Sequence, residues 1–203
     1  MVAEAACLPP GLPVAVSGGD PARAEALARA AVEAGADMLL SVGLAGGLDP
    51  ALRTGDVVAG SWVIGPGEID TPCPATVPVP GAVSAVVAGA DRPALTPAEK
   101  ADLHARYQAA VVDMESHRVA RAAADADVLF AVLRVVLDPA DLAIPASALG
   151  GLGPDGRTRP MAVLRALARR PGDLPALIGL AWRTRRALRV LKQALAGATG
   201  FGE

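Results

Sequence analysis

An apolar run, Met38-Leu39-Leu40, leads directly into the stretch from Ser41 to Asp56, which carries glycines at 43, 46, 47 and 55. A buried strand that opens into a glycine-rich turn can bring backbone N–H groups close to a ligand, because no Cβ stands in the way. The same pattern also serves as a plain connection between strands. Its meaning therefore depends on what the rest of the chain places around it.

The flanking segments alternate between two periodicities. Leu12 to Val16 reads as a short buried strand. Ser17-Gly18-Gly19-Asp20-Pro21 is a strand-to-helix turn, with Asp20 suited to the N-cap and Pro21 to the first helical position. A helix over 21–34 follows, with Leu27, Ala30, Ala31 and Ala34 as its packing stripe and Gly35 as its stop. Residues 37–42 form the next strand, so strands 12–16 and 37–42 are expected to be parallel neighbours joined by a right-handed crossover.

Further strands are expected over 56–64, 85–90, 110–114 and 128–137, and the last, long and apolar, reads as a central parallel strand. Thr96-Pro97-Ala98-Glu99 is a capping-box start to a helix that ends near 107. Another helix runs from about Ser116 to Asp125. The proline-rich stretch 66–80 reads as a surface loop, and 140–158 as a mobile one. Helices over 160–170 and 174–197 close the chain. Strand–helix–strand order, repeated, gives an α/β protein with a mostly parallel sheet. Residues 1–158 are expected to form one domain. Residues 159–203 are expected to be a basic helical extension packed on it.

With 203 residues, 52% of them hydrophobic, the chain can bury a substantial core, and with 2% aromatics that core must be built from Ala, Val and Leu. A net charge of −2 gives no overall argument for nucleic acid. Cys7 and Cys73 have no metal-ligand spacing and read as reduced thiols of a cytoplasmic protein. No apolar span is long enough to cross a membrane. No metal and no cofactor is implied.

Glu115 follows the strand 110–114, Asp138 ends the strand 128–137, and the glycine-rich turn ends the strand 37–42. All three are expected at carboxyl ends of strands, where open α/β sheets form their sites. Glu4 is a fourth candidate. Each has a plain structural explanation as well. Glu115 suits the first turn of a helix, and Asp138-Pro139 is a common turn start. His104 and His117 read as helix-surface residues. Ser17 and Ser41 lack a His/Asp framework for nucleophilic catalysis.

Four motifs in order resemble one family. They are Gly43-Leu44-Ala45-Gly46-Gly47-Leu48, Gly55-Asp56-Val57-Val58, Val112-Asp113-Met114-Glu115, and the run from Arg134 to Asp138. Together they resemble the superfamily of purine nucleoside phosphorylases and methylthioadenosine/adenosylhomocysteine nucleosidases, over residues 13–140 or so. The turn Ser17–Pro21 and the run Val112–Ser116 are most similar to its hopanoid-associated, phosphorylase-like branch, which is linked to releasing adenine from adenosylhopane to leave ribosylhopane.

The resemblance implies a nucleoside phosphorylase type of fold, a three-layer α/β/α arrangement with a mixed, mostly parallel central sheet, with residues 1–158 as the catalytic domain of an N-glycosidase. It implies Asp138 as the acid at purine N7 and Glu4 as the carboxylate that orients the attacking water. Glu115 would hold the ribose hydroxyls, with Met114 against the sugar. Ala45 and Gly46 would lie beside ribose and base, and Arg92 and Pro93 near the base. It also implies a small-molecule or lipid-linked nucleoside as substrate, and a homodimer.

Two departures from the family pattern matter. Only Met1-Val2 precede Ala3-Glu4, where the family has a full strand, so the first strand is expected to be clipped. Leu44 stands where phosphorolytic members commonly have Ser or Thr, and no arginine, the side chain best suited to grip phosphate, accompanies it. Water is therefore expected as the nucleophile. Arg23, near the Ser17–Pro21 turn, keeps the phosphorolytic alternative open, and a catalytically inactive nucleoside-binding protein is a further one.

Ten of the 19 Lys and Arg residues fall between Arg157 and Lys192, with Asp173 the one acid there. In the last helix, Leu174, Leu177, Ala181, Leu188, Leu191 and Leu195 are expected on one packed face, with Arg183, Arg186 and Arg189 away from it. Such a basic helix suits either a solvated face or peripheral contact with an anionic membrane.

Overall fold

An apolar run with no alternation must be covered on both faces, and the segment ending at Asp138 is. The computed structural model describes residues 1–67, 69–149 and 159–198. A helical turn α1 (Val2–Ala5) and helix α2 (Pro21–Glu33) precede β1 (Met38–Gly47), β2 (Val57–Gly65), β3 (Ile69–Pro72) and β4 (Val83–Gly89). Then come α3 (Pro97–Tyr107), β5 (Val111–Asp113), α4 (Ser116–Ala126) and β6 (Leu129–Asp138). The chain continues through α5 (Ala146–Leu149), α6 (Pro160–Arg169) and α7 (Leu174–Gly197).

The fold is mixed α/β with a mixed sheet. β1 pairs with β6, and β4 with β2 and β5, in parallel; β1–β5, β2–β3 and β2–β6 are antiparallel. Because β2 also pairs with β6, the strands β2-β4-β5-β1-β6 close into a ring, with β3 extending beside β2. Phe130, Val132 and Val136 of β6 pack on the side of α2 and α4. Ala131, Leu133 and Val135 pack against Ala187, Leu191 and Leu195 of α7. The sheet is thus layered between helices, and the core is built from small aliphatic side chains.

Helix starts follow their capping residues. The Asp20 carboxylate accepts from the N–H groups of Ala22 and Arg23, and Pro21 opens α2. Thr96 and Glu99 form the reciprocal capping box of α3.

Several expectations are corrected. Leu12 to Val16 forms no strand; Val14 is exposed, and β1 has β6, not this segment, as its parallel neighbour. Pro9, Pro10 and Pro13 remove donors that a ladder would need. Residues Val2–Ala5 are helical, and no strand opens the chain. α2 buries Ala24 and Ala28 instead of Ala30 and Ala34, a face rotated by about one residue. The proline-rich stretch is not all surface loop, since β3 pairs with β2 and Cys73 and Val77 are buried. The span 140–158 includes α5; its remainder from 150, and with it the domain boundary expected at 158, lies outside the described residues. In α7 only the second half packs, and Leu174 and Ala181 are exposed.

His117 is not a surface residue. It is fully buried, because α4 crosses the sheet over Gly65 and Gly89. Its Nε2 meets the Asp91 carboxylate at 3.0 Å. His104 is half-buried, with Nδ1 2.8 Å from the Ala109 carbonyl. A Cβ at Gly89 would overlap the His117 side chain. Overpacking of this kind typically costs about 1–3 kcal/mol and sometimes more. Gly89→Ala is therefore expected to lower the urea midpoint by at least that equivalent, whereas Gly81→Ala, which meets no atom within 4 Å but sits at φ +78°, should cost only its backbone strain.

Candidate active site

The glycine-rich stretch is not a turn. β1 runs straight through it to Gly47, and Gly43, Gly46 and Gly47 are absent from the residues with positive φ. These glycines supply space. A Cβ on Gly43 would lie 2.9 Å from both the Arg134 guanidinium and the Glu4 carboxylate. A Cβ on Gly46 would lie 3.4 Å from the Asp138 carboxylate. The strand is bare where charged groups approach it. A register shift between Ala45 and Gly46 brings Asp138 opposite Gly46.

Arg134, fully buried on β6, organises the polar interior. Its Nε donates to Asp113 at 2.8 Å, and its Nη2 to Ser41 and Ser116 at 2.5 and 2.8 Å. Asp113 also accepts from the Glu115 and Ser116 N–H groups, each at 2.7 Å, and from the Ser116 hydroxyl. Burial alone would raise the Asp113 carboxyl. The Arg134 charge and the Ser116 hydrogen bonds overcome it and hold the group below the usual carboxylate range. Asp113, not Glu115, therefore satisfies the start of α4. Glu115 turns instead to the 17–19 turn, where its Oε1 accepts from the Ser17 hydroxyl and, at 2.9 Å, from the Gly19 N–H.

Glu4 is buried against β1. Its Oε1 accepts from the Leu44 N–H at 2.9 Å, and its Oε2 pairs with the Met1 ammonium. The Leu44 side chain lies on the opposite side of the strand from Ser41, Gly43 and Ala45, packed with Val42 and Leu8 toward α7. Leu44 thus meets Glu4 through its backbone, and its side chain packs away from Glu4 and Arg134. The Arg134 guanidinium is taken up by Asp113, Ser41 and Ser116, and two carboxylates, Glu4 and Glu115, lie close enough for Arg134 to feel their charge.

Asp138 sits further along β1. It is 1% exposed and forms an ion pair with Lys100 at 2.5 Å. The Lys100 ammonium also donates to the carbonyls of Pro139 and Leu142, at 2.7 and 2.8 Å. Burial raises the Asp138 carboxyl to about 6, against the opposing pull of Lys100. Sequence reasoning missed Lys100. The signal was there, since Lys100 shares the α3 face of Leu103 and Tyr107, three and seven residues on, and a lysine in an apolar stripe calls for a buried partner.

β5 runs antiparallel to β1, starting at Gly47, so Val112 and Asp138 flank Gly46 and Asp113 lies one residue further back along β1. The candidates are therefore not gathered at one end of a parallel sheet. They are strung along β1, with Asp138 at Gly46, Glu4 and Arg134 at Gly43 and Glu115 beyond Asp113. Met114 is half-buried beside Glu115. Arg92 is exposed, and Pro93 half-buried, in the loop after β4, where Arg92 faces Glu99. From Glu4, Ser41 and Glu115 a cavity of about 520 Å³ continues toward the start of β1, walled by Leu12, Leu27, Leu40 and Val119.

Residues 80–169 match the family model of the Phosphorylase superfamily. No curated protein matches the chain. Among solved structures, the chain resembles the S-adenosylhomocysteine nucleosidase of Streptococcus pyogenes bound to 5-methylthiotubericidin, at 18% identity and a TM-score of 0.55. The match covers 62% of this chain and 65% of that one, so the chain spans just under two thirds of its length. The adenine-bound methylthioadenosine/adenosylhomocysteine nucleosidase of Colwellia psychrerythraea aligns at 21% identity and a TM-score of 0.54, over 75% of each chain. The corresponding nucleosidase of Helicobacter pylori, bound to butyl-thio-DADMe-Immucillin-A, aligns at 17% and 0.57, over 90% of this chain and 78% of that one. The fold is that of the nucleoside phosphorylases and nucleosidases.

Lys100 opposes the raised pKa of Asp138, so its removal should raise that pKa further. In Lys100→Met the alkaline limb of any activity set by the Asp138 proton moves to higher pH; an unmoved limb would show that the ion pair does not tune Asp138. Removing one partner of a buried ion pair costs about 3–5 kcal/mol, so Arg134→Met should lose about that much stability. Asp113 has a depressed folded pKa, so its contribution is present above its unfolded value and lost as pH falls through the folded one. The deficit of Arg134→Met should accordingly shrink in acid, as measured by denaturant titration from pH 7 downward.

Proposed function

We propose that the protein is an N-glycosidase that releases adenine from a 5′-substituted adenosine, using water as the nucleophile. The observation that carries this reading is the order of groups along β1. Asp138, with a carboxyl raised to about 6, is followed by the Glu4–Arg134–Glu115 group and then by an apolar cavity. Gly43 and Gly46 are three residues apart on a strand, roughly 10 Å, and leave β1 bare beside Arg134 and Glu4 at one and beside Asp138 at the other.

Cleavage of the N-glycosidic bond leaves the bonding electrons on the purine and positive charge on the sugar. Asp138 gives its proton to N7 as the C1′–N9 bond breaks. Water adds to C1′, and its proton passes to Glu4. Glu115 accepts hydrogen bonds from the ribose hydroxyls, with Met114 against the sugar. Ala45 and Gly46 give base and ribose a wall without large side chains, and the loop of Arg92 and Pro93 borders the base. Near neutral pH a carboxyl raised to about 6 still holds its proton part of the time, as a general acid requires. Positioned acid catalysis contributes roughly 10²–10⁴-fold.

The cavity beyond Ser41 favours an apolar 5′ substituent. Adenosylhopane, giving ribosylhopane, is the leading substrate within this reading. The solved structures resembled here include nucleosidases bound to adenine and to a 5′-thio-substituted inhibitor, which supports an adenine nucleoside.

The test is adenine release from adenosines with 5′ groups of increasing apolar size, with and without phosphate. Release independent of phosphate is expected. Release only with phosphate would make the protein a phosphorylase, and binding without release a nucleoside-binding protein. Asp138→Asn should lower kcat by roughly 10²–10⁴-fold with unchanged circular dichroism. Near-normal turnover would remove Asp138 as the acid.

A further inference from the structure

The C-terminal helices leave apolar side chains where water should be. On α7, Leu174, Ile178 and Trp182 recur every four residues on one face and are 47%, 52% and 67% exposed. On α6, Met161 and Leu164 are 63% and 55% exposed, and none of its residues is buried. The exposed line on α7 lies opposite the face that carries Ala187, Leu191 and Leu195 into the core, so it is not a poorly packed part of that face.

Basic residues interleave with the apolar line. Arg185 lies over the Trp182 ring, 6.0 Å from its centroid. Thr54, Trp182, Arg183, Arg185, Arg186 and Arg189 line an open cleft of about 420 Å³. Among the described residues none of these four arginines forms a salt bridge. Residues 159–198 carry nine Lys and Arg against Asp173, whereas the rest of the chain has ten against twenty acids. No helix among the described residues is long and apolar enough to cross a membrane.

We infer that α6 and α7 dock this protein on an anionic lipid bilayer. Ile178 and Trp182 enter the interface, and the arginine cleft takes headgroup phosphates. The charge of this segment complements such a surface, which repels the acidic remainder of the chain and so fixes which side faces it. A nucleic acid would use the same arginines but would leave the aliphatic line Leu174–Ile178 in water. Burial of that line is what an interfacial amphipathic helix achieves. The inference rests on the helices alone and stands whether or not the protein cleaves nucleosides.

The test uses the full chain with Trp62→Phe, so that Trp182 is the remaining tryptophan. Vesicles of phosphatidylcholine alone, and with about one third phosphatidylglycerol, are titrated while Trp182 emission and co-sedimentation are followed. A blue shift with the anionic vesicles alone, weakened by salt, is expected. Arg185→Gln with Arg189→Gln should weaken binding roughly 30-fold, at about 1 kcal/mol per basic residue. Ile178→Ser should abolish most of the binding at unchanged net charge, which a purely electrostatic contact would not show.

Several results would overturn the inference. They are no partitioning at low salt, equal binding by the serine variant, or binding of polyuridylate or pyrophosphate in place of vesicles. Self-association lost in the same variants, with no vesicle binding, would show a second copy of the chain as the occupant.

Discussion

The guanidinium of Arg134 is the interaction on which the rest of the structure depends. It is buried in a core of alanine, valine and leucine, and it joins β6 to Asp113 on β5, Ser41 on β1 and Ser116 on α4. A buried ion is tolerable only when its charge is matched and its donors are filled. The geometry of three strands and one helix is therefore fixed by a single requirement. Asp113 meets its share by also holding the first N–H groups of α4, and this leaves the Glu115 side chain free to face the opposite way. The residues proposed to handle the sugar take their places from this network, not from one another.

Two electrostatic environments lie a few residues apart on the same strand. Asp138 is buried, and burial dominates its titration even with Lys100 beside it. Glu4 and Glu115 lie within the field of Arg134. A carboxyl raised by burial is one way a fold assigns the acid role to a side chain that is usually ionised. The shallow alternation of β1 makes this compatible with a strand, because its glycines keep both faces low where charge must approach.

Much of the element order was legible. β4, α3, α4 and β6 are found within about two residues of where apolar period and capping chemistry place them, since both signals are local. The mixed α/β class follows from their alternation. What stayed hidden depends on pairing. Three residues of β5 carry no information on direction, so the antiparallel β1–β5 contact and the ring closed by β2–β6 could not be read. Leu12–Val16 has a strand's composition but too many prolines nearby to be paired. Leu44 was legible as apolar, yet which face it takes depends on strand alternation measured from a neighbour. His117 is buried because Gly65 and Gly89 lie under it, a match between segments far apart in sequence. Lys100 was readable in principle, as a cation on an apolar stripe. Its partner was already a candidate for other reasons.

The register shift between Ala45 and Gly46 has a consequence for the evolution of chain length. It takes up one residue of mismatch between β1 and β6, so the two strands are phased differently on its two sides. A deletion or insertion within 41–45 would exchange the faces of every residue between it and the bulge. It would send Ser41 or Gly43 to the α7 side and put a side chain in the path of Arg134. Insertions after Leu48, in the turn that leads to Gly55, change no phase. Variation in length among chains of this kind should therefore collect in that turn and avoid the five residues before the bulge, a pattern set by strand parity alone.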